Sequence, residues 1–213
     1  MRVNIGCGQN PTKGWRNFDN SLSLHLSKAH FLSKLLYKFK LISASQWNFI
    51  EFCRTNHIDY GDATKGLPLD NASIDVFYSS HMVEHLDQAD AARVLNEARR
   101  VLCSGGIIRL ALPDLRKFAE QYIKTRDADK FISNILMSSP VTRTMAQKLK
   151  FIIIGHRNHR WMYDGDSLCK LLTSYGFLNA RVMAAGETKI KAPEGLDLWE
   201  RADESVYVEA ENP

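Results

Sequence analysis

The segment Gly106–Leu112, Gly-Ile-Ile-Arg-Leu-Ala-Leu, constrains the fold of the chain more strongly than any other stretch. Only Arg109 interrupts its apolar character, and Pro113 ends it. A nearly continuous apolar run predicts a strand covered on both faces, because a strand with one solvated face would alternate polar and apolar residues. We therefore expect the chain to fold around a buried, mainly parallel sheet.

The residues before this strand predict the strand–helix unit that a parallel sheet requires. Ile74–Tyr78 is a second candidate for a buried strand. An apolar stripe at helical spacing then runs from Ala91 to Leu102. Asp87 is placed to cap the start of this helix, and the glycine pair 105–106 is placed to stop it.

Strand and helix patterns alternate over most of the rest of the chain. Further strands are predicted at Arg2–Ile5, Trp15–Asp19, His57–Tyr60, Leu178–Ala184 and Ser205–Ala210, and further helices within Ser21–Asn56, Leu115–Lys124, Phe131–Ile154 and Asp166–Tyr175. This order predicts an α/β fold: one Rossmann-like, doubly wound domain over residues 1–213, with a mainly parallel sheet and helices on both faces. Right-handed crossovers would bring the carboxyl ends of the strands to one edge, where ligands bind.

The composition is that of an ordinary globular domain and excludes some classes. Of 213 residues 45% are hydrophobic and 24% charged, and the formal net charge is +4. Nucleic-acid binding is not expected, because it usually requires a clustered basic face. No apolar run reaches the ~18 residues of a membrane span, and we expect no signal peptide before the first strand. The four cysteines lack disulfide or metal spacing, so they are expected to be reduced thiols of a cytoplasmic protein.

Charge is unevenly distributed. Ten Lys or Arg stand against three Asp or Glu between Arg116 and Arg160, and eight acidic against three basic residues between Glu187 and Glu211. These stretches are either two solvated surfaces, or the basic one forms the mouth of a site for an anionic substrate. Leu22–Leu41 interleaves lysines with apolar residues, which is typical of a solvated helix or of peripheral contact with a membrane surface or lipid-linked substrate.

The motif His81-Met82-Val83-Glu84-His85 matches the H-x-x-E-H signature of inverted zincin peptidases. That signature requires both histidines within one helix, whereas His81 follows directly after a predicted strand. The usual third ligand, a downstream glutamate, is missing between Glu120 and Glu187. His156 and His159 lie on a separate segment. We therefore expect no metal site here, and a zinc-dependent hydrolase stays only a minor alternative.

Gly6-Cys7-Gly8 forms a turn at the end of the first strand, where the missing Cβ atoms allow backbone to approach a ligand closely. A dinucleotide-binding turn would carry a third glycine, but Asn10 and Pro11 stand in that region. Only nine residues, Gly6 to Gly14, separate the first two strands, which is too few for a crossover helix. This turn is therefore poorly suited to binding a dinucleotide with its pyrophosphate.

Several motifs follow one another in a characteristic order: VNIGCG, GWRNFD, GDATKGLPLDNASIDVFYSSHMVEHL, EARRVLCSGGIIRLALPD and GHRNHRWMYDGDSLCKLLTSYGF. The series closely resembles the class I S-adenosylmethionine-dependent methyltransferases, in particular a branch with a G-W-x-N-x-D second strand. The resemblance implies S-adenosyl-L-methionine as cofactor. Residues 21–56 and 125–160 then count as helical insertions, which are expected to form a lid over the substrate.

The resemblance also implies roles for individual residues. Asn4 takes the position of an acid near the amino group of the cofactor, and Gly6, Cys7 and Gly8 face its methionine end. Asp19 would accept hydrogen bonds from both ribose hydroxyls, since a carboxylate has enough lone pairs. The remaining contacts are assigned to the adenine edge and to the lining between cofactor and acceptor: Asp62 and Ala63, and Ser79, Ser80 and His81.

Methyl transfer to a hydroxyl also needs a base, and histidine is the usual one. The candidates are His81, His85, His156 and His159, although the pair Glu84–His85 serves equally to dock its segment, and His156 and His159 equally to latch theirs. The expected acceptor is a small molecule, anionic or sugar-like. A non-catalytic binding or regulatory domain is the alternative, because Asn4 and Asn10 depart from the family pattern. The sequence does not fix the oligomeric state.

Overall fold

The computed structural model of the chain describes residues 1–137 and 158–213. Its described strands form one seven-stranded sheet in the order β3-β2-β1-β4-β5-β7-β6. The strands are β1 Arg2–Ile5, β2 Arg16–Asp19, β3 Asp59–Tyr60, β4 Ile74–Ser80, β5 Leu102–Pro113, β6 Leu178–Met183 and β7 Ser205–Glu211. Strands β1 to β5 are parallel, whereas β7 runs antiparallel to both β5 and β6. The predicted α/β, mainly parallel fold is confirmed.

The described helices are α1 Leu22–Lys28, α2 His30–Lys38, α3 Ala44–Thr55, α4 Gln88–Val101, α5 Leu115–Thr125, α6 Ala128–Ile135 and α7 Gly165–Ser174, with a 3₁₀ turn at Val83–His85. Asp87 caps α4 as predicted, because its side chain accepts a hydrogen bond from the Asp90 amide at 2.8 Å. The predicted stop at the glycine pair 105–106 is wrong. Helix α4 already ends at Val101, since Leu102 pairs with Ile74 and begins β5.

One face of the sheet carries the larger core. Apolar residues of β1, β4 and β5 pack there against α4 and α7, and the fully buried members include Phe77, Leu95 and Leu168. A smaller cluster on Val76 and Tyr78 includes Ile190, from the segment between β6 and β7. That segment joins strand ends at the carboxyl edge of the parallel strands, because Ser205 of β7 pairs with Pro113 of β5.

The arginine within the apolar strand has a structural explanation. Arg109 is fully buried, and Glu209 lies directly opposite it on β7. Their side chains form an ion pair at 2.7 Å, and the guanidinium lies over the Tyr207 ring. A buried charge is tolerated when it is paired in this way.

The predicted helical segment 21–56 is confirmed as α1 to α3. Helix α3 begins with a capping box between Ser43 and Gln46. Phe31 of α2 and Phe39, which directly follows it, are exposed beside the lysines of the helix. No described helix is long and apolar enough to cross a membrane. Of the predicted helix 131–154 only the part up to Ile135 is seen as α6, and residues 138–154 lie outside the described part of the chain.

Candidate active site

The glycine turn, Gly6 to Gly8, lies at the carboxyl end of β1. Both glycines have positive φ angles, 68° and 51°, which side chains rarely adopt. The amides of Gly6 and Cys7 donate to the Phe18 carbonyl of β2 at 2.8 and 3.1 Å, which fixes the turn against that strand. A Cβ on Gly8 would meet nothing within 4 Å. The backbone at Gly8 therefore borders open space, as a close ligand approach requires.

Asp19 closes β2 and is joined to the glycine turn. Its Oδ2 accepts a hydrogen bond from the Gly8 amide at 3.0 Å, and its Oδ1 accepts one from the Ser21 amide at 2.8 Å. The residue is only 9% exposed. Burial raises the pKa of the Asp19 carboxyl, although the hydrogen bonds from Ser21 and Gly8 oppose the rise. Each oxygen keeps accepting capacity for a further donor.

Asp62 follows β3 and behaves differently. Its Oδ1 accepts from the Thr64 hydroxyl at 2.7 Å and the Thr64 amide at 3.0 Å, and Lys65 lies 2.9 Å from Oδ2. Burial would raise the pKa of Asp62, but the donors of Thr64 and Lys65 outweigh it and lower the pKa. The carboxylate thus holds its own turn, and the buried Ala63 lies beside it.

A narrow cavity lies between the glycine turn and the turn that Asp62 holds. Its lining combines the glycine turn, the turn after β3 and the turn after β4: Ile5, Gly6, Asn20, Gly61, Asp62, Ala63, Thr64, Met82, Leu86 and Val94. Its volume is about 40 Å³. A Cβ on Gly6 would lie only 2.6 Å from Met82 Cγ, so the Met82 side chain covers the glycine on this side. Ligand pockets usually enclose roughly 300 Å³ or more. A ligand therefore needs Met82 to move, which a methionine side chain does readily.

Two further predicted cofactor residues, Asn4 and Cys7, are both buried. Asn4 is buried, and its Nδ2 donates to the Asn10 carbonyl at 3.1 Å and to Thr12 Oγ1 at 3.0 Å. The side chain thereby holds the loop after the glycine turn. Burial raises the pKa of the Cys7 thiol to about 12, so this cysteine stays protonated at neutral pH.

Ser79, which the sequence assigns to the cofactor lining, turns its side chain into the sheet. Ser79 is fully buried, and its hydroxyl donates to the Ile5 carbonyl at 3.0 Å, tying β4 to β1. The Ser80 hydroxyl oxygen is likewise shielded from solvent. Because side chains alternate along a strand, Ser79 and Ser80 lie on opposite faces of the sheet.

His81 lies in the turn after β4 with a positive φ of 49°. Its Nε2 lies 3.0 Å from Ser205 Oγ, and its Nδ1 lies 3.3 Å from the Arg201 guanidinium. Because a guanidinium only donates, Nδ1 must accept, and the proton of the neutral ring sits on Nε2. The ring thus bridges β4 to the segment before β7.

Three histidines surround one buried glutamate. The Oε1 atom of Glu84 lies 3.5 Å from His81 Nδ1, 3.8 Å from His85 Nε2 and 4.0 Å from His159 Nε2. Glu84 is 1% exposed. Burial lowers the pKa of the His159 imidazole, against the opposing effect of the Glu84 carboxylate. His156 lies outside the described residues.

A wider cavity lies beyond the glycine turn and has a volume of about 480 Å³. The loop after β1, the end of α3 and the segment between β6 and β7 line it: Gln9, Asn10, Pro11, Thr12, Phe52, Asn56, Tyr78, Gly195, Asp197 and Glu200. The Tyr78 hydroxyl donates to Glu200 Oε2 at 2.7 Å. We call this the acidic cavity. Sequence reasoning missed Asp197 and Glu200, although the acidic stretch 187–211 was the signal that contained them.

Known proteins share part of this sequence and the fold that carries this site. Residues 41–110 match a family model described as a methyltransferase domain. A SAM-dependent methyltransferase of Thermotoga maritima, described as a possible histamine N-methyltransferase, superposes with a TM-score of 0.52 at 15% identity, covering 100% of this chain and 82% of that one. The fold is that of S-adenosylmethionine-dependent methyltransferases.

Two further methyltransferase structures agree. One from Methanosarcina mazei gives a TM-score of 0.51 at 16% identity over 99% of this chain and 91% of that one. One from Mesorhizobium loti gives 0.51 at 15% identity over 99% and 90%. No curated protein sequence matches the chain. The domain match and this methyltransferase fold support an enzyme that uses S-adenosylmethionine as its cofactor.

Proposed function

We propose that this enzyme transfers a methyl group from S-adenosylmethionine to a hydroxyl of a neutral, sugar-like small molecule held in the acidic cavity. The observation that carries the proposal is the pair of carboxylates, Asp197 and Glu200, in a cavity that also contains residues of the loop after the glycine turn. Carboxylates accept hydrogen bonds from hydroxyls and repel anions. Of the two acceptor types that the sequence suggests, the sugar-like one therefore fits this cavity and the anionic one does not.

The residues beside the glycine turn fit the cofactor. The left-handed, Cβ-free backbone of Gly8 leaves space for its methionine end, and the carboxylate of Asp19 has capacity for ribose hydroxyls. Ala63 and the turn that Asp62 holds would lie against the adenine. When bound, S-adenosylmethionine supplies a methyl group that its sulfonium already activates. The protein's own task is then to align the acceptor with that methyl group. Alignment of two reacting groups can lower the activation barrier by several kcal/mol, and at best by roughly 7–11 kcal/mol.

The acceptor's proton needs a receiver within the acidic cavity. Glu200 is the better placed candidate, because Tyr78 holds its Oε2 and leaves Oε1 able to accept from an acceptor hydroxyl. The described candidate histidines are absent from the lining of both cavities. His81 is engaged by Ser205 and Arg201. We therefore assign proton transfer to the carboxylate.

Helix α3 supports the proposed lid. Phe52 and Asn56, from the end of the insertion 21–56, form one wall of the acidic cavity. Phe52 offers an aromatic surface and Asn56 an amide, a combination suited to the apolar and hydroxylated faces of a sugar ring.

A turnover assay tests the proposed acceptor class. Formation of S-adenosylhomocysteine is measured with a panel of neutral glycosides and with the phosphorylated and carboxylated forms of the same sugars as matched controls. We expect turnover with at least one neutral glycoside and much weaker turnover with its anionic partner. Preference for the anionic partner would overturn the assignment of the acidic cavity as the acceptor site.

A further inference from the structure

The cluster formed by Glu84, His85 and His159, which we call the Glu84 cluster, lies outside both cavities of the proposed reaction. The candidate ligand atoms, one from each residue, lie within 4.8 Å of one another. Glu84 and His159 are buried, and His85 is partly exposed. Neither Glu84 oxygen has a hydrogen-bond partner among residues 1–137 and 158–213. A buried carboxylate without donors is costly, so this arrangement calls for a cation.

The hydrogen bonds of the two imidazoles determine where their lone pairs point. His85 Nδ1 lies 3.1 Å from the Asn158 carbonyl oxygen, and His159 Nδ1 lies 2.9 Å from the Ile135 carbonyl oxygen. A carbonyl only accepts, so each Nδ1 carries the proton. In the neutral rings both Nε2 lone pairs then face the Glu84 carboxylate. This is the outer-shell arrangement by which proteins orient metal-binding histidines.

The distances favour a metal ion over a proton between these groups. The two Nε2 atoms lie 3.8 and 4.0 Å from Glu84 Oε1, which is too long for a direct hydrogen bond, about 2.7–3.2 Å. Zinc bonds to nitrogen and oxygen are roughly 2.0–2.2 Å long, so the ligand atoms of a tetrahedral site lie roughly 3.3 Å apart. A shift of less than an ångström per side chain, roughly, completes that geometry.

We propose that Glu84, His85 and His159 bind one divalent transition-metal ion, with Zn²⁺ as the best fit. Two imidazoles and one carboxylate suit zinc and its neighbours better than Mg²⁺ or Ca²⁺, which prefer oxygen ligands only. Three protein ligands leave a fourth position for water, reached from the side of the partly exposed His85. His81 is not a ligand, because Arg201 occupies its Nδ1.

The ion would fasten two distant parts of the chain. The Glu84 carbonyl already accepts from the amides of Arg160 and Trp161 at 2.7 and 3.2 Å, and the His159 amide donates to the Leu136 carbonyl at 3.1 Å. A metal bond between the turn after β4 and the segment before α7 would lock this docking. The site is therefore distinct from the zincin arrangement, which uses both histidines of H-x-x-E-H; here one of them is replaced by His159.

Metal titration of the whole 213-residue chain tests the proposal. The protein is stripped with chelator and titrated with Co²⁺ alone, then with Zn²⁺ as competitor, in the absence of cofactor and acceptor. We expect one Co²⁺ per chain, with the visible absorption of a four-coordinate nitrogen and oxygen site, displaced by one Zn²⁺. An intense near-ultraviolet thiolate band would show binding at one of the four cysteines and would overturn the proposal, as would no stoichiometric binding by the folded protein.

Variants locate the ion. His159→Gln and His85→Gln should each weaken Co²⁺ binding by roughly a hundredfold or more, since even outer-shell changes cost roughly 10–100-fold. His57→Gln, at a side chain that is 96% exposed, is the matched control and should bind as the parent does. Equal binding by all three variants would overturn the assignment. His85→Gln, at a partly exposed position, keeps the test valid if the buried His159 variant does not fold. No step of this test depends on methyl transfer.

Discussion

The two cavities beside the glycine turn differ in volume and in charge. The narrow cavity measures about 40 Å³, and its acid, Asp62, accepts hydrogen bonds from Thr64 and is paired with Lys65. The acidic cavity measures about 480 Å³ and contains two carboxylates, one of them held by Tyr78. The first is built by short turns that follow consecutive strands, and the second by segments far apart in the chain. This difference is the basis on which we propose the narrow cavity for adenosine and the acidic one for the acceptor.

Asp19→Asn should have the largest effect on the cofactor side. The substitution removes a charged acceptor for the ribose and places an amide group against the N–H of Gly8 or Ser21. We expect the Kd for S-adenosylmethionine to rise about a hundredfold, because hydrogen bonds to charged groups contribute roughly 1.5–3 kcal/mol each. Isothermal titration measures this. An unchanged Kd in a folded variant would remove Asp19 from the site.

Glu200→Gln should act on the other cavity alone. The amide oxygen can still accept from Tyr78, but the charge that receives a proton is gone. We expect kcat/KM for the acceptor to fall by about 10²-fold, the low end for a general base, with the cofactor Kd unchanged. Asp203→Asn, at a nearby exposed position, is the control and should leave both values unchanged. A loss of cofactor affinity in Glu200→Gln would break the separation between the two cavities.

Gly8→Ala tests the open backbone of the glycine turn. Gly14 also has a positive φ, 80° against 51° at Gly8, and equally free space around a Cβ. Gly14→Ala therefore introduces a comparable backbone strain, roughly 1–2 kcal/mol, away from the proposed site. Both variants should lose similar thermal stability, whereas only Gly8→Ala should lose cofactor affinity, about tenfold. Equal affinity in the two variants would show that Gly8 does not border the cofactor.

The opposite pKa shifts of the two aspartates predict a pH dependence. Burial raises the pKa of Asp19, so cofactor affinity should fall as the pH drops through a range above the ordinary value for aspartate, about 3.9. The same shift means that the ionised carboxyl costs stability, so its contribution to folding diminishes as the pH rises. Asp62, with its lowered pKa, stays ionised throughout. Titrations at a series of pH values check this, and Asp19→Asn should flatten the profile.

Tyr78→Phe should have the smallest effect. It removes one hydrogen bond to Glu200, worth about 1.5–3 kcal/mol to a charged partner, but leaves the carboxylate in place. We expect a few-fold increase in the acceptor KM, with kcat changed less. Steady-state kinetics with the acceptor identified in the glycoside panel provide the measurement. A loss as large as that of Glu200→Gln would assign the proton transfer to the tyrosine instead.

The sequence predicted features that depend on near neighbours and missed those that depend on distant ones. The strands, the Asp87 cap and the turn at Gly6-Cys7-Gly8 each follow from a few adjacent residues. The end of α4 was misplaced because the pairing of Leu102 with Ile74 overrides the local glycine signal. Tyr78 and Glu200 are 122 residues apart in the chain, and His85 and Asn158 are 73 residues apart. No local sequence pattern could predict that either pair is in contact.

The H-x-x-E-H motif shows that a local pattern can also suggest a grouping of residues that the fold does not form. Its spacing suggested two histidine ligands on one helix, whereas the backbone forms a 3₁₀ turn at Val83–His85 and turns His81 toward Ser205. The partner that completes the Glu84 cluster, His159, arrives from the segment before α7. No local pattern in the sequence predicts this different grouping, because His159 is 75 positions away from Glu84 in the chain.

A crystal structure with S-adenosylhomocysteine tests the assignment of the two cavities most directly. The structure predicts ribose hydroxyls at Asp19, the adenine beside Ala63 with Met82 displaced from Gly6, and the sulfur directed toward the acidic cavity of Tyr78 and Glu200. A complex with Asp19 turned away from the ribose, or with the sulfur directed toward the Glu84 cluster, would contradict it.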